Sequence, residues 1–267
     1  GGICMKLGFI GAGNMGKSIL EGLLRSGKVS NSDIFVRNSS DKSTSRVVNE
    51  MDAVFCRNLE EIVKNSDIIF LGVKPYLVGE IIDEVGDNFK NKIVISMAAA
   101  VEIKDLERKL PNTKIVRIMP NTPVKVGAGV VGVVFNSLVN DEDKIIVLDL
   151  LSNLGIAEEI LEKDMAALTA LSGSGPAYGY LFIEALADGA ALNGLKRSVA
   201  YRLAANTVLG AAKMVLETKE HRGKLKDDVC SPSGSTIEAV RVLEQKNFRS
   251  AVIECEKACF DKLDRMK

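Results

Sequence analysis

The sequence predicts an α/β fold in which a doubly wound parallel sheet is followed by an all-α C-terminal domain. Three observations carry that expectation. Short apolar runs alternate with amphipathic helical stretches over residues 5–160, the pattern of βαβ units whose strands are buried on both faces. The first run, Leu7-Gly8-Phe9-Ile10, enters Gly11-Ala12-Gly13-Asn14-Met15-Gly16, a Gly-x-Gly-x-x-Gly turn at the mouth of a helix. Strand signals then stop near Leu161, and an all-α domain, opening with a long alanine-rich helix, is expected over residues 161–267.

The glycine turn has a definite physics. Gly11 permits the tight turn, Gly13 lets a ligand approach the backbone, and Gly16 lets the helix pack close to the strand. The unpaired N–H groups at the helix mouth then face an anion, here the pyrophosphate of a dinucleotide. Ile19, Leu20, Leu23 and Leu24 recur at helical spacing behind the turn, so its context is that of a Rossmann-type domain.

Further strands are expected at 33–36, 67–71, 92–96 and 114–118, with one or two more in the β-branched stretch 127–135. Helices are expected near 42–51, 59–64, 78–85 and 103–109. In the second half, Pro176 behind Ser174 marks the start of a helix over 177–192 that Gly194 ends. Others are expected at 198–217, 235–244 and 248–263. Ala185, Ala187, Gly189, Ala190 and Ala191 give the first of these a small-residue surface suited to helix-on-helix packing, within one subunit or between two.

Composition narrows the function. Lys+Arg and Asp+Glu balance at 35 each, which gives no electrostatic reason to expect nucleic acid or an anionic membrane as partner. No run of about 18 apolar residues is present, and the stretch before Met5 is too short for a signal peptide. The cysteines Cys4, Cys56, Cys230, Cys255 and Cys259 form no even framework, so a reducing, cytoplasmic setting is expected. Cys255 and Cys259 read as small apolar groups on one helix face rather than as metal ligands, and no metal is expected.

Chemistry-bearing residues fall in three places. The loop after the second strand reads Arg37-Asn38-Ser39-Ser40, a cation and small donors where NAD-preferring chains usually carry an acid. That loop suits a 2′-phosphate, hence NADP with NADH as a possible substitute, or it is a solvated turn. The loops Val73-Lys74-Pro75, Met97-Ala98-Ala99-Ala100 and Met119-Pro120-Asn121-Thr122-Pro123 follow later strands, on the sheet edge where such folds bind ligands. Far along the chain, Ser231-Pro232-Ser233-Gly234-Ser235-Thr236 opens a helix with hydroxyls and backbone N–H groups together. That turn reads either as a nest for a carboxylate or as a well-capped helix start.

The motifs at 8–16, 73–75, 119–123, 171–178 and 225–236 occur in an order that resembles the pyrroline-5-carboxylate reductase family over nearly the whole chain from Met5. The resemblance implies a Rossmann domain with a helical domain that forms a homo-oligomeric, dimer-making interface. It implies NAD(P)H-dependent reduction of the cyclic imine 1-pyrroline-5-carboxylate to L-proline, the last step of proline biosynthesis. It implies that Gly11, Ala12, Gly13, Asn14 and Met15 hold the pyrophosphate, with Asn38, Ser39 and Asn58 near the adenosine ribose. Val73, Lys74 and Pro75 then border the nicotinamide ribose, while Met97, Ala98, Ala99 and Asn121 lie at the nicotinamide. Ser231, Ser233, Gly234, Ser235 and Thr236 would hold the substrate carboxylate, with Thr236 placed to hydrogen-bond the ring nitrogen.

Two residues depart from the family pattern: Asp228 where Asn is usual, and Ser233 where the turn usually has glycine. If position 233 needs positive φ, serine there costs about 1 kcal/mol. A β-hydroxyacid dehydrogenase is disfavoured because 177–195 contains no lysine. A dinucleotide-sensing regulator would have no need of the 231–236 turn.

Overall fold

A computed structural model of the chain describes residues 5–99 and 101–265; Cys4 and Ala100 lie outside them. Two compact units divide it, one extending through Gly173 and taking in the chain end from Leu263, the other spanning Ser174–Lys262.

The first unit alternates strand and helix: β1 (Leu7–Ile10), α1 (Asn14–Ser26), β2 (Ile34–Arg37), α2 (Asp41–Met51), β3 (Val54–Phe55), α3 (Leu59–Asn65), β4 (Ile68–Leu71), α4 (Pro75–Val85), β5 (Ile93–Ser96), α5 (Ile103–Lys109) and β6 (Lys114–Pro120). It continues with β7 (Gly129–Phe135), α6 (Asp141–Ser152), β8 (Gly155–Glu159) and the short helix α7 (Met165–Leu168). The described strands form one sheet in the order β3-β2-β1-β4-β5-β6-β7-β8. All pairs are parallel except β6 with β7. Only a short 3₁₀ turn (Thr122–Val126) separates those two strands, too little chain for the crossover a parallel pair requires. The order reverses at β1, so the glycine turn leaves the sheet at the switch point where open α/β sheets bind ligands.

Each inner strand is apolar because both faces are covered. Along β4, Ile68 and Phe70 face the layer built by Ile19, Leu20 and Leu23 of α1 with Val47 and Val147. Ile69 and Leu71 face the opposite layer, with Ile62, Val78, Ile82 and Leu106. Phe9 and Phe70 stack across β1 and β4, their centroids 4.5 Å apart and planes 5° from parallel. Residues 162–173 pack with this unit: Asn121 Nδ2 donates to Ser172 O at 2.9 Å, and Leu168 fills the space beside Gly132.

The second unit is helical: α8 (Gly175–Leu192), α9 (Arg197–Thr218), α10 (Arg222–Asp228), α11 (Ser235–Gln245) and α12 (Phe248–Asp264). Its cluster of buried apolar residues is small, comprising Ala187, Ala200 and Ala204 where α8 and α9 approach closely. Leu181, Leu203, Leu209, Leu216 and Ile253 stay exposed. No described helix is long and apolar enough to cross a membrane.

The sequence reading missed β3, α6, β8, α7 and α10; α7 is a single four-residue turn, and the other misses also have causes. β3 is two residues long, below the length at which alternation registers. β8 (GIAEE) is only five residues long and ends on two glutamates, and α10 (RGKLKDD) is mostly polar; both are largely exposed. α6 has its signal in the Asn140–Asp143 capping box rather than in apolar periodicity.

Gly22 supplies a test of this packing. Alanine in a helix normally stabilises by about 1 kcal/mol over glycine. A Cβ at Gly22, however, would lie 2.5 Å from Val124 O and 2.6 Å from Leu154 Cδ2. Gly22→Ala is therefore expected to lower unfolding stability by about 1–3 kcal/mol, measured by urea denaturation.

Candidate functional site

The glycine turn behaves as its residues dictate. Gly11 has φ 84°, and a Cβ there would lie 2.5 Å from Val73 Cγ1 and 2.9 Å from the Gly72 carbonyl carbon. Gly72 is equally constrained, since its Cβ would collide with the Gly11 carbonyl oxygen. The backbones leaving β1 and β4 thus touch. At Gly16 the nearest atom to an added Cβ is Gly11 O at 3.1 Å, so α1 packs tightly on its own turn. At Gly13 nothing lies within 4 Å. Gly13 caps α1 without a side-chain hydrogen bond, and no acid occupies the first helical turn. An open, uncapped helix mouth without negative charge fits a diphosphate.

Beside the turn lies a cleft of about 290 Å³, lined by Ile10, Gly11, Asn38, Ser39, Asn58 and Val73 together with Arg37, Arg57, Leu59, Leu77, Ile81 and Glu84. Its walls are part apolar, suited to a flat ring, and part donor, suited to ribose and phosphate oxygens. Asn38 ties the cleft together: its Oδ1 accepts from Ala12 N at 2.7 Å and its Nδ2 donates to Ser43 O at 3.1 Å. Thr44, buried in α2, accepts from Asn38 N at 3.0 Å. Arg37 Nη1 donates to Asp41 Oδ1 at 2.6 Å. Asn58 caps α3 by accepting from Glu61 N. Cys56, buried at the end of β3, has its thiol pushed up to about 11 by burial and by the Glu61 charge, so it stays protonated at neutral pH.

The remaining expected residues follow the neighbouring strands. Lys74 and Pro75 begin α4, with Pro75 at its first position. Met97 N donates to Leu71 O at 3.1 Å, and the Met97 methyl packs near Gly72. Ala98 is buried and Ala99 exposed, and Arg117 Nη2 donates to Ala99 O at 2.6 Å. Arg117 is itself buried and pairs with Glu162, burial pulling its pKa below the usual arginine value. Asn121 is buried with both ends of its amide engaged, donating to Ser172 O and accepting from Val130 N. It holds the segment after β6 in place. Arg57, Leu59, Leu77, Ile81 and Glu84 were not singled out from the sequence. The i, i+4 spacing of Leu77 and Ile81 behind Val73-Lys74-Pro75 was the available signal.

The second unit holds the other expected cluster. Gly234 N donates to Ser231 O at 3.0 Å, closing a four-residue turn with Pro232 second and Ser233 third. Ser233 has φ 60°, the left-handed conformation that a proline-led turn of this kind demands at its third position. A Cβ on Gly234 would meet Ser231 Oγ at 2.4 Å and Ser231 O at 3.1 Å, so a larger residue there would have to turn the Ser231 hydroxyl aside. Gly234 then caps α11 without a side-chain hydrogen bond. Among the described residues the hydroxyls of Ser231, Ser233, Ser235 and Thr236 have no intramolecular partner. These hydroxyls and the first amides of α11 are the hydrogen-bond donors that the turn offers. Asp228 is paired with Lys224 at 2.7 Å, which offsets its charge. Near the start of α8, Ser174 Oγ lies 3.2 Å from Cys259 Sγ. Burial, and then a hydrogen bond with Cys259, push the Tyr178 hydroxyl up to about 12.

A switch-point glycine turn with an open helix mouth and a mixed apolar and donor cleft define a dinucleotide-dependent oxidoreductase. The family described as "Pyrroline-5-carboxylate reductase dimerisation" matches residues 162–266, and the one described as "NADP oxidoreductase coenzyme F420-dependent" matches residues 6–100. A pyrroline-5-carboxylate reductase of Escherichia coli (strain K12) is 46% identical, with 98% of each chain covered. A pyrroline-5-carboxylate reductase 2 of Bos taurus is 41% identical over 95% of this chain and 81% of its own. The solved structure of a Plasmodium falciparum pyrroline carboxylate reductase with NADP bound matches with TM-score 0.85 at 35% identity, covering 98% of both chains. That of a pyrroline-5-carboxylate reductase from Coxiella burnetii matches with TM-score 0.90 at 33% identity over 99% of both. This chain belongs to the pyrroline-5-carboxylate reductase family.

Two substitutions separate strain from binding. Gly13 has φ −74° and ψ −160°, which any residue adopts, and open space beyond. Gly13→Val is expected to leave the melting temperature unchanged while weakening dinucleotide binding by about 10-fold or more, read by calorimetry. Ser233→Gly removes a left-handed serine and is expected to raise stability by roughly 0.5–1 kcal/mol in chemical denaturation.

Proposed function

We infer that this chain reduces 1-pyrroline-5-carboxylate to L-proline, the final step of proline biosynthesis, with NADPH as preferred reductant and NADH as an alternative. The observation that supports the substrate side is the turn at 231–236, where unpartnered hydroxyls and the first helix amides of α11 lie on one short segment. Such a set of donors recognises a carboxylate and leaves the attached ring free to present its C=N bond.

The assignments follow the donors. Gly11 through Met15 take the diphosphate; Arg37, Asn38, Ser39 and Asn58 border the adenosine end; Val73, Lys74 and Pro75 border the second ribose; Met97, Ala98, Ala99 and the segment held by Asn121 flank the nicotinamide. Bound NADPH supplies the hydride. The protein's task is positioning and protonation. Ser231, Ser233, Gly234 and Ser235 orient the substrate through its carboxylate, and the Thr236 hydroxyl donates to the ring nitrogen. A protonated C=N is the better hydride acceptor, so a donor at nitrogen assists chemistry rather than binding alone.

We further propose that the chain works as a homo-oligomer through its helical domain, and that it works in the cytoplasm. The exposed leucines of α8 and α9 support the first. The free thiols of Cys56, Cys230, Cys255 and Cys259 support the second.

Oxidation of NADPH by the purified chain on addition of the imine, followed at 340 nm as a property of the cofactor, tests the activity. Thr236→Ala is expected to lower kcat by about 10–100-fold with KM little changed. A raised KM with full kcat would make Thr236 a binding residue only.

A further inference from the structure

The cleft beside the glycine turn contains two arginines, and the structure treats them differently. Arg37, the cation the sequence points to, is half-buried and paired with Asp41 at 2.6 Å, and its Nη1 also reaches Cys56 O at 3.5 Å. Its charge is offset within the chain. The loop's other groups are also largely engaged. Asn38 bridges Ala12 and Ser43, and the Ser40 hydroxyl caps α2. Arg57 is exposed, and among the described residues its guanidinium makes no hydrogen bond or ion pair. The hydrogen bond at this residue is from its backbone N–H to Glu61 Oε2 at 2.7 Å.

The topology explains its place. β2 and β3 run parallel, with Phe35 opposite Val54 and Val36 opposite Phe55. Cys56 N then donates to Val36 O at 3.1 Å. The chains therefore leave the sheet side by side, and Arg57 lines the same cleft as Asn38 and Ser39. Glu84, the acid among the lining residues, belongs to the α4 wall with Leu77 and Ile81.

We propose that Arg57, with the Ser39 hydroxyl, clamps the 2′-phosphate of the cofactor and sets its preference for NADPH over NADH. The proposal rests on the reading that this cleft takes the adenosine end of the dinucleotide. A free guanidinium offers a planar fork to a phosphate, whereas one already committed to a carboxylate must first give that up. A free ribose 2′-hydroxyl has no comparable use for the charge. The discriminating group is thus carried by the strand beyond the one where the acid of NAD-type chains sits.

Calorimetric binding of NADPH and of NADH to the full chain, without imine, reads this apart from turnover. Arg57→Gln is expected to weaken NADPH binding by about 10-fold or more and leave NADH binding unchanged, with an unaltered melting temperature. Arg57→Lys is expected to retain part of the preference, because the charge remains while the fork is lost. Equal effects on both cofactors, or no effect on either, would overturn the proposal. So would loss of the preference in Arg37→Gln but not in Arg57→Gln. Wild-type chain that prefers NADPH in binding yet leaves the imine unreduced would refute the activity and leave the Arg57 assignment standing.

Discussion

The constraint that shapes the ligand edge of the first unit is the meeting of two backbones, Gly11 and Gly72, where β1 and β4 end. Neither position has room for a Cβ, and Gly11 also needs a left-handed φ. The geometry at the ligand edge depends on this contact. It lets the chain turn immediately after Ile10, sets α1 down on the Gly11 carbonyl, and brings the Val73 side chain to the cleft wall. The Phe9–Phe70 stack lies two residues before each glycine, so a packed aromatic pair stands directly behind the turn. Sheet packing and ligand geometry are consequently one problem, solved at the same pair of strands.

The apolar strands were legible because burial on both faces forces them to be apolar throughout. The glycine turn was legible because Gly11, Gly13 and Gly16 stand at different steric demands: a left-handed turn against Val73 and Gly72, open space at the helix mouth, and a helix set down on the Gly11 carbonyl. In the second unit, α8 was legible from its alanine content and the proline at its start. What escaped was chain whose position is set by partners rather than by its own pattern. β8 joins the sheet edge by pairing with β7, and nothing in GIAEE announces a strand. Arg57 escaped because its significance comes from register: only the pairing of β2 with β3 carries it to the cleft that Asn38 and Ser39 line.

Several residues marked in the sequence prove to do double duty. Asn38 and Asn121 spend their amides on holding loops together, so they shape the ligand edge mainly by fixing backbone. Arg117 does the same from below, since it binds the Ala99 carbonyl while paired with Glu162. At the other cluster, the hydroxyls of Ser231, Ser233, Ser235 and Thr236 are left unspent, and Ser233 is held at positive φ to keep the turn shaped. Polar groups engaged inside the chain and polar groups left unpaired therefore separate the residues that hold backbone from those that the proposed function assigns to ligand.

The helical unit carries one more consequence. With an interior cluster of a few alanines and leucines left facing water, it has little cohesion of its own. In the homo-oligomer proposed above, its folding free energy is shared with the surface that covers those leucines, and mass action enters the balance. Dilution, and not only heat or denaturant, becomes a way to take such a molecule apart.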